Sequence, residues 1–120
     1  MLCYKNKDMD FRFDEKSGHI DKLNYCGKEF SFVPVSVFEV SQRDADGEQY
    51  KSTAQNFHLK RCDTSDNAFS CLYENEEMRV KINAEINTSI IWEISVENFG
   101  EKVIEWINFP QIVVKNDLKD

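Results

Sequence analysis

Two groups of carboxylates lie close together in the sequence, Glu74, Glu76 and Glu77 in one run and Asp44 and Asp46 in another. Paired acids are what glycoside hydrolysis needs, one to protonate the leaving oxygen and one to attack or activate water. Acidic clusters at turns and strand ends are more commonly solvated surface, and that is the expectation here. The two histidines, His19 and His58, fall into no ligand or triad spacing, and His19 in "SGHID" reads as a turn residue at a strand start. No Gly-rich phosphate loop and no nucleophile motif is present. Cys3, Cys26, Cys62 and Cys71 lack the Cys-x-x-Cys spacing of a zinc or redox site, and a chain this long does not depend on crosslinks, so they read as reduced thiols. These residues predict no catalytic group, no metal and no cofactor.

The aromatic residues are the stronger candidates for contact. Both tryptophans lie in "SIIWEISVENFGEKVIEWINFPQ", Ser89 to Gln111. Trp92 is in register with Ile90, Ile94 and Val96, which predicts a core position. Trp106 shares a face with Ile104 and Asn108, opposite Val103, Ile107 and Phe109. If the latter three face the core, Trp106 and Asn108 point outward and become candidate carbohydrate or domain contacts. A register slip of one residue would instead make Trp106 core, because it reverses every side chain.

The elements that must position these residues are strands. Glu77 to Ile86 alternates apolar Met78, Val80, Ile82, Ala84 and Ile86 with polar neighbours, the period of a half-buried strand. After the polar turn Asn87-Thr88-Ser89, which also fits a glycosylation sequon, the alternation resumes as an antiparallel partner. Gly100, free to take positive φ, follows in the next turn, and Pro110 should end the strand after it. Earlier, "DEKSG" and "RDADGEQ" read as turns, the second with Asp46-Gly47 at its tip. Val33 to Val40 predicts a strand bent by Pro34, and Gln55, Phe57 and Leu59 another. No segment has helical apolar spacing with a cap. The sequence therefore predicts one all-β domain over residues 1–120, an antiparallel β-sandwich of two packed sheets with little or no helix.

The chain's 120 residues carry a formal net charge of -7. That opposes nucleic acid and anionic membrane surfaces, which are bound through clustered Lys and Arg. No run approaches the ~18 apolar residues of a membrane span. The charged start "MLCYKNKDMDF" is no export signal, which predicts a cytoplasmic location.

Two segments carry a family resemblance. "FRFDEKSGHIDKL" resembles the opening hairpin of the galactose-mutarotase-like β-supersandwich domains at the amino end of many glycoside hydrolases. "WEISVENFGEKVIEWINFPQIVV" resembles a later part of those domains, where a Trp-led strand ends in Asn and the next closes in Phe-Pro. The resemblance implies a non-catalytic N-terminal accessory domain of a carbohydrate-active enzyme, with a catalytic barrel after Asp120 on which it packs and whose sugar site it helps to shape. Complete domains of this kind are about twice as long, so residues 1–120 would be a part or a compact version. An independent carbohydrate-binding module is the alternative. A mutarotase-like enzyme is disfavoured, since no His and carboxylate pair is evident for ring opening.

Overall fold

A computed structural model describes residues 1–115. The polar tail from Asn116 to Asp120, and with it the end of the expected 1–120 domain, lies outside the described residues. In chain order the strands are β1 (Leu2–Lys5), β2 (Met9–Asp14), β3 (His19–Tyr25), β4 (Lys28–Phe30), β5 (Glu39–Arg43), β6 (Gln49–Thr53), β7 (His58–Thr64), β8 (Ala68–Glu74), β9 (Met78–Ile86), β10 (Ile90–Asn98) and β11 (Val103–Asn108). One 3-10 turn, Ala54–Asn56, stands between β6 and β7. No helix among the described residues is long and apolar enough to cross a membrane.

The alternation of β9 dictates the arrangement around it. Met78, Val80, Ile82, Ala84 and Ile86 are buried, while Arg79, Lys81 and Glu85 are exposed. Both ends of β9 are set by asparagine. Asn75 Oδ1 accepts the Glu77 and Met78 N–H groups, each at 2.9 Å, which closes the turn from β8, and Asn87 N–H donates to Ser89 O in the turn to β10. β10 then pairs with β9 without a register break from Ile90 opposite Ile86 to Asn98 opposite Met78.

Three antiparallel sheets result, β1-β2-β3-β4, β10-β9-β8-β7 and β11-β5-β6, in an all-β, sandwich-like fold. The molecule measures 50 × 36 × 19 Å, and its short dimension fits two sheet layers ~10 Å apart. Phe11 and Phe13 of the first sheet share one buried core with Phe69, Tyr73 and Val80 of the second, Phe13 stacking on Phe69 at 4.9 Å, and Phe38 and Val40 complete it. Trp92 stands edge-on to Phe11, Phe13, Phe69 and Phe109 with ring centroids 5.8 to 6.2 Å apart, so it is a core contact, as its register predicts. The inner residues of β10 are only half-buried, because β10 is an edge strand.

Several local expectations are corrected. Among the described residues there are three sheets rather than two, with β11 paired to β5 and not to β10. The segment 33–38 is irregular apart from contacts with the chain's far end, where Val33 N–H donates to Val113 O and Phe32 bridges Val114. Here Pro34 lacks a donor and Ser36 supplies substitute hydrogen bonds. Its hydroxyl donates to Phe38 O and accepts from Ala54 N–H. Gln55 sits in the 3-10 turn, and the strand begins only at His58. Gly100 does not adopt positive φ. It is instead a point of close approach, since a Cβ there would lie 3.1 Å from Glu77 Cβ.

The cysteines are thiols, Cys3 and Cys26 exposed, and Cys62 opposite Cys71 across β7 and β8. Burial pushes the Cys62 and Cys71 thiols up from their ordinary pKa, which makes both poor nucleophiles.

Gly18 ties the layers together. Its φ is +70°, its carbonyl accepts the Val37 N–H at 2.6 Å, and an added Cβ would fall 2.5 Å from Ala54 Cβ. Gly18→Ala should therefore cost about 2 to 4 kcal/mol, from left-handed strain plus overpacking. Gly27→Ala, at φ +80° with open space around it, should cost only about 1 kcal/mol. Equal losses in denaturant unfolding would contradict the packing role of Gly18.

Candidate functional site

The outer face of the β11-β5-β6 sheet holds the candidate contact residues. Its geometry follows from a bulge. β11 pairs Ile104 with Gln42 but Trp106 with Ser41, so Glu105 is an extra residue and the side chains after it change face. Ile104 packs against the core, whereas Trp106 and Asn108 lie on the other side with Val103. The expected sharing of one face by Ile104, Trp106 and Asn108 thus holds for the last two only. Val103 does not face the core but is 67% exposed, and Ile107, though opposite buried Val40, is partly open at the edge.

Three cross-strand rows make up this outer face: Val103 with Arg43 and Gln49, Trp106 with Ser41 and Lys51, and Asn108 with Glu39 and Thr53. Trp106 is half-buried and, with its neighbours, covers Ser41, which is fully buried. Gln49 Nε2 donates to Ser41 Oγ at 2.8 Å, and Lys51 Nζ lies 5.6 Å from the Trp106 ring centroid. Arg43 Nε donates to Glu105 at 2.9 Å, pinning the bulge. Asn108 is exposed, with its Nδ2 turned to Gln111 Oε1 at 3.4 Å. Ser41, Gln49 and Lys51 escaped the sequence analysis. The pairing that brings them to Trp106 is non-local, and no periodicity within β11 signals it.

The two acidic groups do come together, but not as a reactive pair. Glu77 forms an ion pair with Lys102 at 2.6 Å, and Glu74 with Arg79 at 2.9 Å. Lys102 Nζ also lies 4.4 Å from the Tyr50 ring, whose hydroxyl donates to both Asp44 and Glu48 at 3.1 Å. Asp44 Oδ1 in turn accepts the Asp46 and Glu48 N–H groups, with Gly47 at φ +82° completing the hairpin tip. The carboxylates thus act in turns and ion pairs. No group of three or more His, Cys, Asp or Glu that could hold a metal exists among the described residues.

Two open concavities lie elsewhere. One, of about 760 Å³, sits over His58, Lys60, Glu74, Asn75, Glu77 and Lys102 at this acidic end. The other, of about 560 Å³, lies on the outer face of the β10-β9-β8-β7 sheet, with Asp63, Ser70, Asn83, Glu85, Ile91 and Glu93 among its walls.

The segments that carry the family resemblance form the β2–β3 hairpin and the β10–turn–β11 unit, which ends just before Phe109-Pro110. No family model and no curated protein matches the chain.

Two measurements check this geometry. Trp92→Ala should cost about 3 kcal/mol or more and Trp106→Ala about 1 kcal/mol or less, read from denaturant unfolding by circular dichroism. Losses of similar size would return Trp106 to the core. The second check uses pH. Hydrogen bonds to Asp44 and Glu48 raise the Tyr50 hydroxyl from 10.0 to about 12. The stabilisation it brings is whole below pH 10 and lost as pH rises toward about 12, because the folded state there holds a proton that the unfolded chain releases. Asp44 behaves oppositely. Its pKa is lowered, chiefly by the Glu48 N–H, so its contribution is lost as pH falls through its folded value. A tyrosinate absorbance titration should lose its step near 12 in Tyr50→Phe. An unchanged titration would contradict the network.

Proposed function

We propose that this chain is a non-catalytic accessory domain of a carbohydrate-active enzyme, acting as its N-terminal sandwich and packing on a catalytic barrel in the same protein. The observation that carries the proposal is the position of Trp106, half-buried outside the core on an outer sheet face with exposed Val103 and Asn108 beside it. An indole held at a surface and flanked by apolar and amide groups suits a domain contact, where burial of the remaining ring area would be favourable. Ile112, Val113 and Val114 add further exposed apolar surface toward the end of the described chain. The fate of the carboxylates supports the non-catalytic part, since Glu74 and Glu77 are held by cations and Asp44 by turn amides.

An independent carbohydrate-binding module is the second reading. Sugar stacking needs an open ring face, and Lys51 lies over a face of Trp106, which favours domain contact over stacking on that side. On either reading the partner is a carbohydrate, a following catalytic domain, or both. A cytoplasmic location belongs to the same proposal.

Hydroxyl-radical footprinting of the 120-residue chain against the product of its whole reading frame tests the proposal. Trp106, Val103 and Val113 should react about three-fold less or lower in the longer protein, as buried side chains do. Unchanged labelling, or a reading frame that stops at Asp120, would refute domain packing. Glycan-array binding by the isolated chain that Trp106→Ala abolishes would favour the module instead.

A further inference from the structure

The longest strand pair of the molecule ends at an open edge. β10 is terminal in the order β10-β9-β8-β7, and the chain leaves it to pair β11 with β5, so no strand among the described residues pairs with its outer side. One row of β10 backbone N–H and C=O groups therefore has no ladder partner. Natural edges are usually blunted by shortness, charged side chains, especially Lys, Pro or a bulge. Of these β10 has only Glu93 and Glu97, both on its outer face. It is nine residues long, "IIWEISVEN", with no Pro, Lys or Arg and an unbroken register to β9.

Its two faces show what would fit. On the inner face, Ile90, Trp92, Ile94 and Val96 are half-buried, whereas Ile86, Ala84, Ile82 and Val80 opposite them on β9 are buried. The apolar layer is thus one strand short of full cover. On the outer face, Ile91, Glu93, Ser95 and Glu97 are exposed. Glu97 is met from β9 by Arg79 Nη1 at 3.1 Å and Glu93 by Asn83 Nδ2 at 3.3 Å, both from the same side.

We propose that the β10 edge takes up an extended segment of a partner polypeptide whose side chains alternate between apolar and basic. Main-chain hydrogen bonds supply affinity in such strand addition, and alternate side chains supply selectivity. β9 already displays the matching pattern on the occupied side, with Met78, Val80 and Ile82 inward and Arg79 and Lys81 outward. An incoming strand of that pattern completes the apolar layer over Trp92, Ile94 and Val96 and sets cations beside Glu93 and Glu97. A second copy of the chain fits poorly. Two β10 strands side by side would gather Glu93 and Glu97 of both copies on one face with no basic residue on either strand, in chains of net charge -7 each. The edge belongs to a different sheet from Trp106, and the inference does not depend on a sugar or a barrel.

The test adds a capped peptide with the β9 sequence, MRVKINAEI, to the intact chain and follows amide hydrogen exchange residue by residue by NMR. Alternate amides of β10 should slow by about tenfold or more at saturation while those of β9 keep their protection. Affinity should fall several-fold at high salt, as expected for exposed charges. A peptide N-methylated at every residue, which keeps its side chains but has no backbone N–H donor on either edge, should not bind. The Glu93→Lys, Glu97→Lys protein should lose the basic peptide and bind one with Glu in place of Arg and Lys. Four results would each overturn the proposal. They are unchanged β10 exchange at saturating peptide, equal binding of the N-methylated peptide, loss of β9 protection through strand displacement, or β10 amides already slow in a dimer seen by sedimentation.

Discussion

The packing of Trp92 against four phenylalanines is the contact on which the rest of the arrangement depends. Phe11 and Phe13 come from the first sheet, Phe69 from the second, and Phe109 from the segment after β11. A single indole therefore touches the first two sheets and the exit of the third. Edge-to-face pairs of this kind add about 0.5 to 1.5 kcal/mol each beyond the area they bury, and their geometry constrains how the sheets can slide. Because β10 is at an edge, Trp92 performs this role while remaining half-buried. The strand that carries the central aromatic thus also has an unpaired side.

Polar anchors complete what the aromatic packing begins. The Ser36 hydroxyl, the Gly18 carbonyl and the Tyr4 and Tyr73 hydroxyls each satisfy or use backbone groups where the ladders stop. Tyr4 donates to Ala68 O at 2.8 Å and Tyr73 to Glu15 O at 2.5 Å. These bonds join residues distant in sequence, and burial makes them costly to break. The charged groups have a lesser energetic role. Exposed pairs such as Arg61 with Asp63 contribute about 0 to 1 kcal/mol, so the many carboxylates shape the surface potential more than the stability. That potential also bears on the free edge of β10, where Glu93 and Glu97 favour a basic partner over a second copy.

A single extra residue decides the character of the outer sheet face. Without the bulge at Glu105, the strict alternation of β11 would carry Trp106 to the same side as Ile104 and hence to the core side. The bulge turns Trp106 outward over Ser41, and the Arg43–Glu105 ion pair holds it there. The same strand thereby contributes Ile104 to the core and Trp106 to the surface.

Much of the fold was legible in the sequence. Met78 to Ile86 and Ile90 to Val96 announced their faces by a period of two, because one side of each strand meets apolar neighbours and the other meets water. The Asp46-Gly47 turn was equally local, since it depends on positive φ at Gly47 and on Asp44 bonding the amides that follow it. The partners of each strand were not legible. That β11 joins β5, that the segment 33–38 stays irregular, and that Gly18 must admit Ala54 are consequences of contacts between distant residues, which no local pattern encodes. The face of Trp106 belongs with these. The sequence alone determined an antiparallel all-β chain with Trp92 inside. Only the tertiary structure, through one unpaired residue in the β11–β5 ladder, decided that Trp106 lies outside, because a register break reverses every side chain beyond it.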